Sequence, residues 1–531
     1  MPSSIKNKIF FLFVLIFSSS LAQKKKEDLI HIIYADYATT NEKYPGKQLL
    51  SGHVQIEHDS AFLFCDKAIV DKKENKAIAI GNVRLIQGDS VELRAGYISY
   101  DGKKSFAKAI QDVFLKDPQM RLKTDTLMFD RQKQQAYYTS GGEIRDSINI
   151  LKSKIGQYFL NEKKFRFINN VHIDNPDYKL DSYQLDYFTD TGISNFYGPT
   201  KIYNPQSYVY AEKGHYDSKN KISWFVKNAF IKDRHTTIKG DSLYYDQFKS
   251  YANATGNMVL HDSINKTWIY SDYGEYWGKK DSVQVNKKPL LITITEKDTL
   301  YSRAGKFIMS GKKDKRQIWA FPKLRFYSKE FSGRSDSLYR NDSLKIMKLL
   351  KSPVVWSKNN QITGEIIIIK NDSLNKVDSL IIPNKVFIVQ KDSTGFNQIK
   401  GKVLKGKIID KKLHHIDITG NTEVIFYLRE DNGDLTGIEK NKSSKIYIVF
   451  DNGEIDKTRF YNKVDGIIYP PAMLKNKTLK GFNWRGEEQI KTKEDVLEGL
   501  IPVFEAQVPQ KATQKEEETP MGTEKEIFNK K

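Results

Sequence analysis

The chain has 531 residues, one cysteine and a formal net charge of +21. A chain of that length can bury a sizeable core. A single thiol makes no internal disulfide, so stability must come from packing and strand pairing. The basic balance favours polyanionic partners, which for an exported protein means phosphorylated lipid or acidic polysaccharide and not nucleic acid. Many of the lysines lie in short turns, where a solvated charge is the plainer reading.

The first 22 residues read as a signal peptide: Lys6 and Lys8, the apolar run Ile9 to Phe17, and the small-x-small site Ser20-Leu21-Ala22. That run is too short for a permanent span, which needs about 20 residues, and no later segment reaches that length, so a soluble mature protein is expected from near Gln23. No cysteine follows the cleavage site to carry a lipid anchor. Residues 23–44 read as a linker. The single thiol, Cys65, sits in the apolar run Ala61-Phe62-Leu63-Phe64 with no histidine beside it, as a small buried residue would.

From residue 45 the chain repeats. The apolar residue opening one recurrent strand falls at Val54, Val83, Val113, Ile144, Val171, Thr200, Ala229 and Met258, at spacings of 29, 30, 31, 27, 29, 29 and 29. Each unit closes on an apolar-Asp pair such as Val70-Asp71, Tyr100-Asp101 or Tyr245-Asp246, followed by a polar turn. Small and apolar residues then lead back to the next anchor, as in Lys76-Ala77-Ile78-Ala79-Ile80-Gly81-Asn82-Val83. Both segments alternate with period two, so each repeat of about 29 residues is two long strands, antiparallel because the turns are short. Gly81-Asn82 and Gly256-Asn257 interrupt the strands where glycine marks a bulge or bend. Bends at one level fold the sheet into two facing leaves, with Val54/Ile56, Val83/Leu85 and Val113/Leu115 pointing inward. The fold class is therefore all-β, a bent antiparallel jellyroll or solenoid-like stack. It spans residues 45–285 in a first block and 286–480 in a second, looser one marked by Asp298-Thr299-Leu300, Asp336-Ser337-Leu338 and Asp378-Ser379-Leu380. Residues 481–531 read as a C-terminal extension, disordered from about 507, where Lys, Glu, Thr and Pro dominate.

Gly52-His53-Val54-Gln55-Ile56, Asp66-Lys67-Ala68, the alternating-alanine strand ending in Gly81-Asn82-Val83, and Tyr100-Asp101 together resemble the OstA-like (organic-solvent-tolerance) family, which includes the periplasmic bridge of lipopolysaccharide transport. The resemblance runs over 45–280 and more weakly over 290–480. It implies a bent β-jellyroll in the periplasm, in association with the outer membrane, whose groove holds the acyl chains of lipid A. On that basis the candidate lipid-binding residues are Val54, Ile56, Phe62, Phe64, Val83, Leu85, Val113 and Leu115, with lysines and arginines at strand ends available to phosphates. The implied partners are lipopolysaccharide, OstA-like domains of inner- and outer-membrane transport proteins, and a second copy added head to tail. The edges for such strand addition are expected at Gly52 to Ile56 and near Lys445 to Phe450, unless Leu29 to Tyr37 and Phe460 to Leu479 cover them. The charged tail at Asn529-Lys530-Lys531 and the Asp-Ser-Leu repeats of the second half lead to the expectation of the soluble, bridge-like component and not of the barrel-bearing outer-membrane member.

Catalysis is the competing class. No His-Glu-x-x-His or Gly-x-Ser-x-Gly motif occurs, His414-His415 would point to opposite faces of a strand, and Asp66, Asp125 and Asp241 follow the repeat where a catalytic pair would break it. No enzyme activity, metal or cofactor is expected. A structural or polysaccharide-binding β-solenoid is the alternative. It would be closed and filled, whereas a lipid carrier needs an open apolar groove.

Overall fold

A computed structural model of the protein describes residues 30–500, apart from 41–44, 59–60, 89–90, 119, 234, 295–297, 313–314, 374–375, 410–411, 452–453 and 474–477. The expected signal peptide and the tail from about 507 lie outside the described residues. The described residues form one 40-stranded antiparallel sheet, a near-continuous meander. The opening strands are β1 (His31–Tyr34), β2 (Tyr37–Thr40), β3 (Lys47–His58), β4 (Ala61–Asp71), β5 (Lys76–Gln87), β6 (Val91–Asp101), β7 (Phe106–Lys116) and β8 (Arg121–Asp130). The shorter β9 (Gln135–Tyr138), β10 (Gly142–Arg145), β11 (Ile150–Ser153) and β12 (Ile155–Phe159) follow, and then β13 (Lys164–Asn175).

The Asp-led turns form as their residue types dictate. Asp71, Asp101, Asp130, Asp217 and Asp246 each accept, through Oδ1, the backbone N–H three residues on, at 2.9–3.1 Å. The bends are equally regular. Two left-handed residues on one strand face a single residue on its neighbour: Gly81-Asn82 opposes Asp66, Lys227-Asn228 opposes Glu212, and Gly256-Asn257 opposes Asp241. Such two-against-one bulges bend a strand. Each is held by a side-chain clasp: Asn82 Nδ2 donates to Asp66 Oδ2 at 2.9 Å, Asn257 Nδ2 to Asp241 Oδ2 at 2.9 Å, and Asn228 Nδ2 to Glu212 Oε1 at 2.7 Å. The recurrent acidic residues are thus parts of the bend. Glycine eases the bend at 81 and 256, where φ is +74° and +71° and a Cβ would lie 2.4 and 2.3 Å from the clasping carboxylate, whereas Lys227 takes the same left-handed position at φ +66° opposite Glu212.

The bends fold the sheet into two facing leaves. In the first leaf an aliphatic ladder runs in register through Ile56, Leu63, Leu85, Leu93, Leu115 and Leu122, and onward through Ile144, Leu151 and Ile173. This register corrects one repeat anchor. Ile144 belongs to the Leu122 layer, and the residue on the level of Val113 and Val171 is Gly142, which pairs Thr124 and Ser153. With Gly142 as anchor the spacings of 31 and 27 become 29 and 29.

The linker expected at 23–44 is corrected too. β1 and β2 pair with β3 as one more bent strand, with Asp36 at the bend: its N–H donates to Gly52 O at 3.0 Å and its carboxylate meets His53 Nδ1 at 2.9 Å. Asp36 thus stands to Gly52-His53 as Asp66 stands to Gly81-Asn82. The expected edge at Gly52 to Ile56 is therefore covered. So is Lys445 to Phe450, by Glu454–Tyr461. The first half-repeat escaped notice because β1 and β2 are only four residues each and largely exposed, so their alternation carries little contrast.

From Ser282 to Ile409 each bent strand breaks into two short ones, one per leaf, before Lys412–Arg429 and Leu435–Asp451 run unbroken again. Pairing is continuous, since Thr267–Trp277 pairs both Ser282–Asn286 and Leu290–Ile294. Residues 479–498, which take in the end of the expected second block and the start of the extension expected at 481–531, run back as a strap over the outer face of the first leaf. Ile490, Val496 and Leu497 bury Trp268, Tyr270, Leu290 and Ile292, and Leu479 joins Phe387, Val389 and Ile425. Buried polar groups stitch the strap down. Gln398 Oε1 accepts from Leu479 N, Gln361 bonds both Asn483 O and Arg485 N, and Arg303 donates to the carbonyls of Val496 and Leu497 at 2.7 Å.

Candidate functional site

The leaves part in the first block. A cavity of about 280 Å³ lies between them over β3 to β12, reaching the strand ends opposite the bends. Its first-leaf wall is the leucine ladder, with Ile56, Leu63, Leu85, Leu93 and Leu115. Its second-leaf wall carries Ala77, Ala79, Ala107 and Ala136 between Ile98, Tyr100, Leu127 and Phe129, and near the strand ends lie Gln87 on the first leaf and Ser105 and Arg131 on the second. The hollow follows from register. Ala79 pairs Ile98, Ile98 pairs Ala109, and Ala109 pairs Leu127; one row further out Ala77, Tyr100, Ala107, Phe129 and Ala136 alternate in the same way. A small side chain on every second strand leaves volume that leucine would have filled. Interiors rarely keep such space, and an apolar hollow of this kind suits an apolar guest.

Of the residues singled out from the sequence, Ile56, Leu85 and Leu115 line the cavity. Val54, Val83 and Val113 point inward but lie closer to the bends, fully buried in the core against Cys65 and Ala95. Phe62 and Phe64 are corrected: they pair with Glu57 and Gln55 on one side and Ile86 and Arg84 on the other, which places them on the outer face, and Phe62 is 41% exposed. A one-residue change of phase moves a whole set of side chains to the other face, and the inward set in β4 is Ala61, Leu63 and Cys65. Leu63, Leu93, Leu127 and the alanines were missed. The alanine alternation was visible, but it served as a strand signal and not as a statement about volume.

Apart from Arg131 at the strand ends, the charged groups nearby lie outside the hollow, and several are paired. Glu92 accepts from Arg84 at 2.6 Å and from Arg94 at 2.8 Å, and these hydrogen bonds hold its carboxyl below the usual range. Lys103 meets Glu74 at 2.8 Å across neighbouring turns. Burial pushes the Cys65 thiol up to about 11, so it is an inert packing group. Among the described residues no group of three or more His, Cys, Asp or Glu is placed to hold a metal ion.

No curated protein matches this chain. Among solved structures, the crystal structure of LptH, the LptA-homologous periplasmic component of the conserved lipopolysaccharide transport device from Pseudomonas aeruginosa, is similar at 15% identity. That alignment covers 20% of this chain and 81% of that one, with a TM-score of 0.19. Residues 27–183 match the family described as OstA-like protein, a span that takes in β1 and β2 and contains the whole cavity. Over residues 27–183 this chain is similar to the OstA-like proteins.

Proposed function

We propose that this protein carries lipopolysaccharide across the periplasm toward the outer membrane, sheltering acyl chains of lipid A between the two leaves. The observation that carries the reading is the apolar cavity of about 280 Å³ inside the OstA-like segment. Each methylene moved from water into it contributes about 0.8 kcal/mol. The charged head group would remain at the strand ends, beside the polar turns. OstA-like domains of membrane-bound partners, or a second copy, would add to the short outer strands β1 and β2.

The body beyond the cavity favours a structural role for that part, as a rigid spacer, because it is closed and filled. The gap bounded by Phe196, Ala211, Gly214 and Phe225 has no room for a water molecule.

Photo-crosslinkers at Leu85 and Leu115, in protein recovered from the cell envelope, are expected to capture lipopolysaccharide identified by mass spectrometry. Those at Arg84 and Phe64, on the outer face, are expected to capture none. Capture at the outer positions alone would reject the cavity as the carrier.

A further inference from the structure

On the side of the bends the cavity ends where Leu115 and Leu127 meet one side chain, while near the strand ends its lining runs on to Ala136 and Leu160. Tyr138, on β9, is 3% exposed and buries its ring with Val91, Leu115 and Leu122, against Leu93, Leu127 and Ile144. Leu93, Leu115 and Leu127 also line the cavity, so the ring stands at its boundary. The ring crosses from one leaf to the other, and two glycines make room for it. A Cβ on Gly142 would come within 2.5 Å of it, and one on Gly156, its direct strand partner, within 2.4 Å. Gly142 is the one anchor of the repeat without a side chain, and the Tyr138 ring occupies that space. The hydroxyl reaches the far leaf, where it lies 2.7 Å from Ser153 Oγ, which donates on to Ile155 O at 3.0 Å. Behind the ring the interior closes: Tyr158 and Phe165 pack at 4.4 Å, Phe165 and Phe167 at 5.8 Å, and Phe167, Leu185 and Phe196 fill the next layers.

We infer that Tyr138 closes the far end of the acyl-chain cavity on the side of the bends and sets the longest chain accepted there. The inference rests on the lipid-carrier reading. It makes the cavity a dead-end slot with a length limit, in place of a stretch of through-channel. Tyr138 is here a specificity-determining residue: a chain longer than the slot must leave its extra methylenes in water, so lengthening it further brings no gain.

The test uses the purified full chain and a series of straight-chain saturated fatty acids displacing a fluorescent polyene fatty acid. For the unaltered protein, affinity is expected to rise about fourfold per added methylene and then level off at a definite length. Tyr138→Ala moves the levelling-off point to longer chains, Tyr138→Phe leaves it in place, and Ala136→Phe, which builds the wall forward, moves it to shorter chains. The Ala136→Phe arm stands whether or not Tyr138→Ala folds. The same levelling-off length in all folded variants would overturn the end-wall role while leaving the carrier reading intact. Absence of any fatty-acid binding by the unaltered protein would overturn both.

Discussion

The region around β3 to β12 and the region from about residue 190 onward share one backbone plan, yet the first is hollow and the second is solid. Both have bends clasped by an acidic side chain, Asp-led turns and an aliphatic first leaf. They differ in what occupies alternate inward positions of the second leaf. In the hollow region the row nearest the bends sets small residues against small or aliphatic ones, as with Ala68, Ala79, Ile98 and Ala109, and only the row beyond it sets alanines against Tyr100 and Phe129. In the solid region small residues face large ones: Gly214 sits between Phe196 and Phe225, with both rings 3.0–3.1 Å from where its Cβ would be. Whether a leaf pair is a container or a beam is therefore decided by side-chain volume at a few positions and not by topology.

That contrast can be broken in either direction. Phe225→Ala should open the solid region and cost about 4 kcal/mol in urea-unfolding free energy. Ala107→Leu should fill the hollow with a stability change under about 1.5 kcal/mol but sharply weaken fatty-acid binding. A similar stability loss in both variants would mean that the hollow is packed as tightly as the beam.

A second difference is the strap, which covers only the solid region. Arg303→Ala removes the guanidinium that holds the Val496 and Leu497 carbonyls. It is expected to cost about 3 kcal/mol there and to expose residues 479–498 to protease, with binding in the N-terminal cavity unchanged. Equal protease resistance with and without Arg303 would show that the apolar contacts hold the strap alone.

The smallest effect sharpens what the two regions share. Gly81→Ala and Gly256→Ala each force a Cβ into a left-handed position, beside Asp66 and Asp241 respectively, and each should cost about 1–2 kcal/mol. Unequal losses would show that the bends of the hollow and solid regions are not the same device.

The periodic features were legible in the sequence because they are local. A turn closed by Asp71 on the Glu74 N–H, or a bend made by Gly81 and Asn82, involves residues adjacent or one hairpin apart, and so repeats as a visible pattern. The candidate site was legible only in part. Ile56, Leu85 and Leu115 follow from alternation after an anchor, whereas Phe62 and Phe64 were assigned by their hydrophobicity against the phase of their own strand.

Composition, period, strand alternation, bends and turns were determined by the sequence alone, since each depends on short-range dihedral preference and hydrogen bonding. The tertiary structure decided the rest. Only the facing of the leaves shows that the alanines add up to a cavity, because empty volume is a property of two opposed surfaces. Only cross-leaf packing shows why position 142 is glycine, since the ring that fills its place comes from Tyr138. And only the folded chain brings Gln361, Gln398 and Arg303 to a strap more than 80 residues away in sequence, through hydrogen bonds that leave no periodic trace.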